Sequence, residues 1–277
     1  MSILEAIILG VVEGVTEFLP ISSTGHLTVV EKALGFNVDA PDVTAFTAIV
    51  QIGAILAVIH YFREDLIRVV GAFFAGLRDP ARRDREFHYA LALGVGSMPI
   101  AFAGLAFQDA IEGPLRSLWV VGVALILWSF VMWIVDRNAT QVRGEEDVRM
   151  RDTLIIGVTQ CLALVPGVSR SGATMSAGLV LGLDRVTVTR LSFFLSIPAL
   201  TAAGIYQAVK EYDEISTGIG WGPTIVGTVV SFIVAYAAVA WLLRYIARHT
   251  FSLFIVYRIL LGILVLALVS AGAMAAT

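Results

Sequence analysis

Charge is scarce in this sequence. Only 15% of its 277 residues are Asp, Glu, Lys or Arg, against about 25% in an ordinary globular domain. Hydrophobic residues make up 58% and mean hydropathy is +0.86. That balance excludes a soluble domain and predicts an integral membrane protein. Cysteine is nearly absent too: Cys161 stands alone, which excludes an internal disulfide and a thiolate metal cage. It lies in an apolar stretch and reads as a small packing residue. The net charge of −3, with basic residues in short clusters, offers no nucleic-acid surface. No cleavable leader is expected, because the apolar start lacks a basic region and an A-x-A site and carries glutamates.

Spanning a bilayer takes roughly 20 apolar residues. Six segments are long enough: about 43–62, 87–107, 118–135, 189–209, 223–243 and 250–275. Two more, 2–35 and 153–182, are apolar but broken midway, at Pro20 to Gly25 and at Pro166 to Gly172. Each half is too short to cross alone, and irregular backbone at membrane depth survives only inside protein or beside water. Both therefore read as re-entrant helical hairpins that enter and leave on one side.

The two broken segments repeat each other at an offset of 147 residues without a gap, pairing Gly10 with Gly157, Ser22 with Ser169, Gly25 with Gly172 and Gly35 with Gly182. Glu13 pairs with Gln160, and further on Phe46 with Phe193. The expected fold is all-α and polytopic, one membrane domain of two units, 1–136 and 152–277. Each unit is a hairpin followed by three spans, and the odd number of crossings inverts the second. Most arginines fall in the linkers 63–86, 137–152, 184–190 and 244–249, whereas the alternate linkers hold only Lys32, Arg116 and Lys210. The positive-inside rule makes the arginine-rich side cytoplasmic. Hairpin 1 then opens outward, hairpin 2 enters from the cytoplasm, and their tips meet inside the membrane.

The tips carry the chemistry. GVVEGVTEFLPISSTGH, residues 10–26, sets Glu13 and Glu17 one helical turn apart among apolar residues. Two such carboxylates repel unless a cation joins them, and a divalent metal is the obvious one. Ser23, Thr24, Gly25 and His26 follow. The second tip, PGVSRSGAT, supplies Ser169, Arg170, Ser171, Gly172 and Thr174. Each Ser/Thr-Gly turn begins a new helix, whose N–H groups and dipole suit phosphate. Arg170 adds a forked cation. Together these are the parts of a metal-assisted phosphoryl-transfer site.

Plainer readings stand beside this one. Ser22 and Ser169 read as N-caps. Glu17 with Arg170 would also serve as a structural ion pair, although intramembrane ionisable groups are functional candidates by default. His26 alone is weak, and gains an acid–base role only next to Ser23 and Glu17. Gly172, Gly178 and Gly182 read as close-packing residues. Gln51 and Gln160 either line a cavity or bond a neighbouring helix. Arg258 lies several residues inside the last span, placed to snorkel or to hold an inner carboxylate.

GVVEGVTEFLPISSTGH and PGVSRSGAT resemble the two signature motifs of the undecaprenyl-diphosphatase family, also called bacitracin-resistance proteins, and the resemblance runs end to end. It implies that Glu13 and Glu17 form the family's acidic motif and that Ser23, His26 and Arg170 occupy catalytic positions. It further implies a divalent cation and a hydrolase that removes the terminal phosphate of undecaprenyl diphosphate. The product, the monophosphate, carries cell-wall precursors in a bacterial cytoplasmic membrane. In this reading Mg²⁺ or Ca²⁺ sits on Glu13 and Glu17, and Thr24, Gly25, Ser169, Arg170, Ser171, Gly172 and Thr174 hold phosphate. Ser23 is the nucleophile and His26 or Glu17 takes its proton, with direct attack by water as the alternative. The site faces the outer, periplasmic side. Oligomeric state stays open, a homodimer included. The rival class is a lipid-phosphate flippase, because secondary transporters share inverted repeats and broken helices.

Overall fold

The computed structural model describes residues 1–107 and 114–276, and the regular elements among them are all helical, chiefly α-helices. In chain order they are α1 (Ile3–Thr16), α2 (Ser23–Ala33), α3 (Pro41–Tyr61), α4 (Arg63–Arg78), α5 (Arg85–Ala106), α6 (Leu118–Asn138), α7 (Met150–Gln160), α8 (Arg170–Val180), α9 (Arg185–Lys210), α10 (Tyr212–Thr217), α11 (Trp221–Ile246) and α12 (Ser252–Ser270). Among the described residues, six helices are long and apolar enough to cross a bilayer: α3, α5, α6, α9, α11 and α12. They coincide with the six predicted segments. The basic linker expected at 63–86 instead folds largely into α4. Leu66, Ile67, Val69, Val70, Phe73, Phe74 and Leu77 recur there at helical spacing, so the arginines decorate an amphipathic helix.

The two apolar segments whose halves are too short to span are each broken around the predicted positions. α1 stops at Thr16 and α2 begins at Ser23, while α7 stops at Gln160 and α8 begins at Arg170. Ser22 and Ser169, related by the repeat, both have φ of 75°, a left-handed value that a non-glycine residue holds only at some cost. Each offsets that cost by capping the next helix. The Gly25 N–H donates to Ser22 Oγ at 3.4 Å and the Gly172 N–H to Ser169 Oγ at 3.2 Å. The N-cap expectation holds at both.

Close backbone approach knits the halves together. A Cβ on Gly157 would strike the Gly96 carbonyl, so α7 lies directly against α5. A Cβ on Gly10 would lie 2.5 Å from the Gly227 carbonyl, so α1 lies against α11 in the same way. Small residues permit such contacts between membrane helices. Gly178 meets Val188 as a packing glycine should, but Gly182 has φ of +80° and ends α8 in a left-handed turn. Its role is conformational, a correction to the packing expectation. Phe18 of the first break packs edge-on to Phe193 of α9, and Phe193 meets Phe62, in the core beneath the tips.

Candidate active site at the meeting of the broken helices

Helix geometry stacks the two glutamates: the Glu17 N–H donates to the Glu13 carbonyl at 3.0 Å. Glu13 is 1% exposed and Glu17 5%, so neither is a solvated edge. A buried carboxylate needs partners, and Glu17 has three. Arg170 Nη2 donates to its Oε1 at 3.2 Å, and Ser23 Oγ and Gln51 Nε2 donate to its Oε2 at 2.5 and 3.2 Å. The Ser23 contact is the shortest of the three. Arg170 therefore joins the second broken helix to the first. Its Nη1 is tied to the Ser192 carbonyl at 3.0 Å, and its guanidinium lies over the Phe18 ring at 5.6 Å.

Glu13 differs: its Oε1 is buried without any hydrogen-bond partner. It faces a cavity of about 340 Å³ whose lining includes Ser23, Thr24, Glu31, Gln51 and Arg116. Glu31 is also buried, with Oε1 accepting from Thr47 at 2.8 Å. Arg116 is braced by the Val38 carbonyl and Thr44 Oγ1 at 2.8 and 3.1 Å. Gln51 fulfils both alternatives left open for it, since it lines the cavity and bonds Glu17.

The remaining expected site residues are set back from this cavity. His26 is engaged on both nitrogens. Nδ1 donates to the Ser22 carbonyl at 2.7 Å, and Nε2 lies 2.7 Å from the Tyr257 hydroxyl, with the two rings stacked. It makes no hydrogen bond to Ser23 or Glu17. The phosphate-binding set is likewise drawn into structural bonds. Gly25 and Gly172 spend their N–H groups on the caps, and Ser169 Oγ lies 3.1 Å from Ser171 Oγ. Ser171 Oγ donates to the Leu19 carbonyl at 2.9 Å. Thr174 bonds the Arg170 carbonyl and Ser192 Oγ. Ser22 does more than cap, because it also accepts from the Gly167 N–H across the seam at 3.2 Å. Glu13, Ser23 and Thr24 thus line the cavity, with Glu17 one hydrogen bond behind Ser23 and Arg170 behind Glu17.

Arg258 meets neither expectation. It is fully buried, not snorkelling, and its bonds go to backbone carbonyls and Ser129 rather than to a carboxylate. Glu31, Arg116 and Tyr257 were not singled out from sequence. Glu31, an acid inside an apolar helix, was the one with a visible signal.

The oxygen set fits a divalent cation that is completed by its substrate. Among the described residues no three His, Cys, Asp or Glu side chains gather as a metal cage. Two carboxylates, one with an orphaned buried oxygen, match the way Mg²⁺ is held by one or two carboxylates plus phosphate oxygens.

A family profile described as "Bacitracin resistance protein BacA" matches residues 6–264. "Undecaprenyl-diphosphatase 3" of Frankia casuarinae is 59% identical, with all of both chains covered. "Undecaprenyl-diphosphatase" of Cutibacterium acnes is 52% identical over 97% of this chain and 98% of the relative. "Undecaprenyl-diphosphatase 1" of Streptomyces coelicolor is 52% identical over 98% of each.

Proposed function

The chain belongs to the bacitracin resistance protein BacA family, and from that premise we propose how it works as an undecaprenyl-diphosphatase. It is a multi-pass bacterial membrane protein, with six helices among the described residues long and apolar enough to span, and its substrate is a lipid. The observation that carries the mechanism is the 2.5 Å bond from Ser23 Oγ to Glu17 Oε2 beside a cavity that reaches Glu13.

Ser23 Oγ attacks the terminal phosphorus and its proton passes to Glu17 Oε2. The bond from that phosphorus to the bridging oxygen breaks, and undecaprenyl phosphate leaves as an anion. Water then attacks the phosphoserine, Ser23 Oγ departs and takes its proton back from Glu17, and inorganic phosphate is released. Glu17 takes the base role rather than His26, whose nitrogens are held by Ser22 and Tyr257. Arg170 holds Glu17 in place, and its fork is the cation suited to phosphoryl oxygens. Thr24, exposed at the cavity, donates to phosphate. Glu13 and Glu17 would hold Mg²⁺ or Ca²⁺, which supplies charge neutralisation for the diphosphate.

We further read the chain as an inverted repeat of two re-entrant hairpins, one in 1–136 and one in 152–277. Three observations support this: the 147-residue offset, the matching caps and φ values of Ser22 and Ser169, and the reciprocal packing of α1 on α11 and α7 on α5. The site opens to the periplasmic side. Val38, Thr44, Arg116 and Gln207 line the cavity, all at or beside the arginine-poor ends of the spanning helices. The opposite ends carry the paired arginines, Arg143 with Asp152, Arg185 with Asp136, and Arg190 with Asp65 and Glu145.

The test is phosphate release from undecaprenyl diphosphate by purified protein in detergent, where a linear release dependent on Ser23 is expected. Lipid movement across vesicles without any phosphate release would instead establish the flippase.

A further inference from the structure

A residue outside both tips also bridges the joint between them. Arg258 of α12 is 0% exposed. An arginine buried within a membrane is costly unless its donors are met. Here all its partners among the described residues are neutral oxygens. Nη1 donates to the Pro20 carbonyl at 3.3 Å, and Nη2 donates to the Gly167 and Val168 carbonyls at 2.8 and 3.1 Å. Nε is aimed by Ser129 Oγ of α6 at 3.0 Å. Pro20 and Gly167 are equivalent positions of the 147-residue repeat, so one guanidinium grips the same carbonyl in both copies. Each gripped residue lies three positions before a reacting group, Pro20 before Ser23 and Gly167 before Arg170. The adjacent Tyr257 meets His26 at 2.7 Å, which extends the hold from the first tip into α2.

We propose that Arg258 is a positioning residue: it sets the register of the two broken tips, and thereby the distance from Ser23 and Glu17 to Arg170. It touches no substrate, being walled off from the cavity. Break-loop carbonyls at membrane depth lack helical partners and demand donors. A planar fork holds two backbone segments at once in a fixed geometry, which a flexible ammonium does not impose. This rests on the assignment of Ser23, Glu17 and Arg170 as the reacting set.

The experiment compares full-length wild type, Arg258→Lys and Ser129→Ala in one detergent, by kinetics on undecaprenyl diphosphate and by amide hydrogen exchange at residues 18–24 and 165–172. Because a misplacement of about 1 Å costs on the order of a hundredfold, Arg258→Lys should lower kcat by about tenfold to a hundredfold. KM should stay within about threefold. Exchange at both tips should quicken together. Ser129→Ala leaves the arginine in place but unaimed, so it should shift kcat and exchange in the same direction by less, and it decides the matter if Arg258→Lys does not fold. A kcat within about twofold of wild type, a loss confined to KM, or loosening of one tip alone would overturn the proposal. If wild type itself released no phosphate, the reading of the reacting set would fail, while the exchange data would still report whether Arg258 holds the tips.

Discussion

Replacing Glu17 and Ser23 singly and together tests whether they act as one unit. Glu17→Gln keeps the shape and removes the charge. Its first effect is on stability: Arg170 loses its carboxylate at 3.2 Å while remaining 10% exposed in its side chain. Breaking a buried pair from one side costs about 3–5 kcal/mol. Ser23→Ala removes one hydrogen bond to a charged group, about 1.5–3 kcal/mol, so the alanine variant should unfold at the higher temperature of the two. The kinetic effects should be larger and alike. Losing a general base costs about 10²–10⁴ in rate, and losing the nucleophile should cost at least as much, with substrate affinity little changed. If the 2.5 Å contact is the proton-transfer path, the second change removes nothing the first has left. The double variant should then turn over no more slowly than the worse single one. The assay is single-turnover phosphate release at saturating substrate, with thermal unfolding of each variant in the same detergent. Multiplicative losses would refute the shared path. Near-normal turnover by Ser23→Ala would refute the serine nucleophile and make water the attacking group.

A chelator should silence the wild type and added Mg²⁺ or Ca²⁺ should restore it, with Glu13→Gln raising the cation concentration needed; full activity in excess EDTA would remove the metal from the scheme. Single cysteines at the exposed Asp79, Asp147 and Asp213, in a Cys161→Ser background, test orientation in intact cells. An impermeant thiol reagent should spare the first two and label the third, and the reverse would invert the topology. Gly157→Ala places a methyl against the Gly96 carbonyl; overpacking of this kind costs about 1–3 kcal/mol, measurable as a lower thermal midpoint, and an unchanged midpoint would mean that α5 and α7 can part freely.

The six long apolar helices among the described residues, the two breaks and the sequence offset between them were legible in the sequence because they are local properties. A run of apolar residues is long enough to cross or it is not, and a proline followed by serines and a glycine ends one helix and caps the next. Glu13 and Glu17 were legible as a stacked pair for the same reason, since helical period alone puts residues four apart together. What the local pattern omits is which way a side chain faces once helices distant in sequence have packed. His26 has the same neighbours in sequence as Ser23, yet only in three dimensions does Tyr257 of α12 draw its ring out of the cavity. Ser169, Ser171 and Thr174 have the composition of a phosphate cradle, but the approach of the first tip turns Ser171 toward the Leu19 carbonyl, while Ser169 caps α8 and Thr174 bonds Ser192 of α9. Arg258 is the clearest case. Its sequence neighbourhood suggests a cation seeking water or a carboxylate. Its actual partners are carbonyls 238 and 91 residues away, left without donors by two helix breaks that converge only in the folded chain.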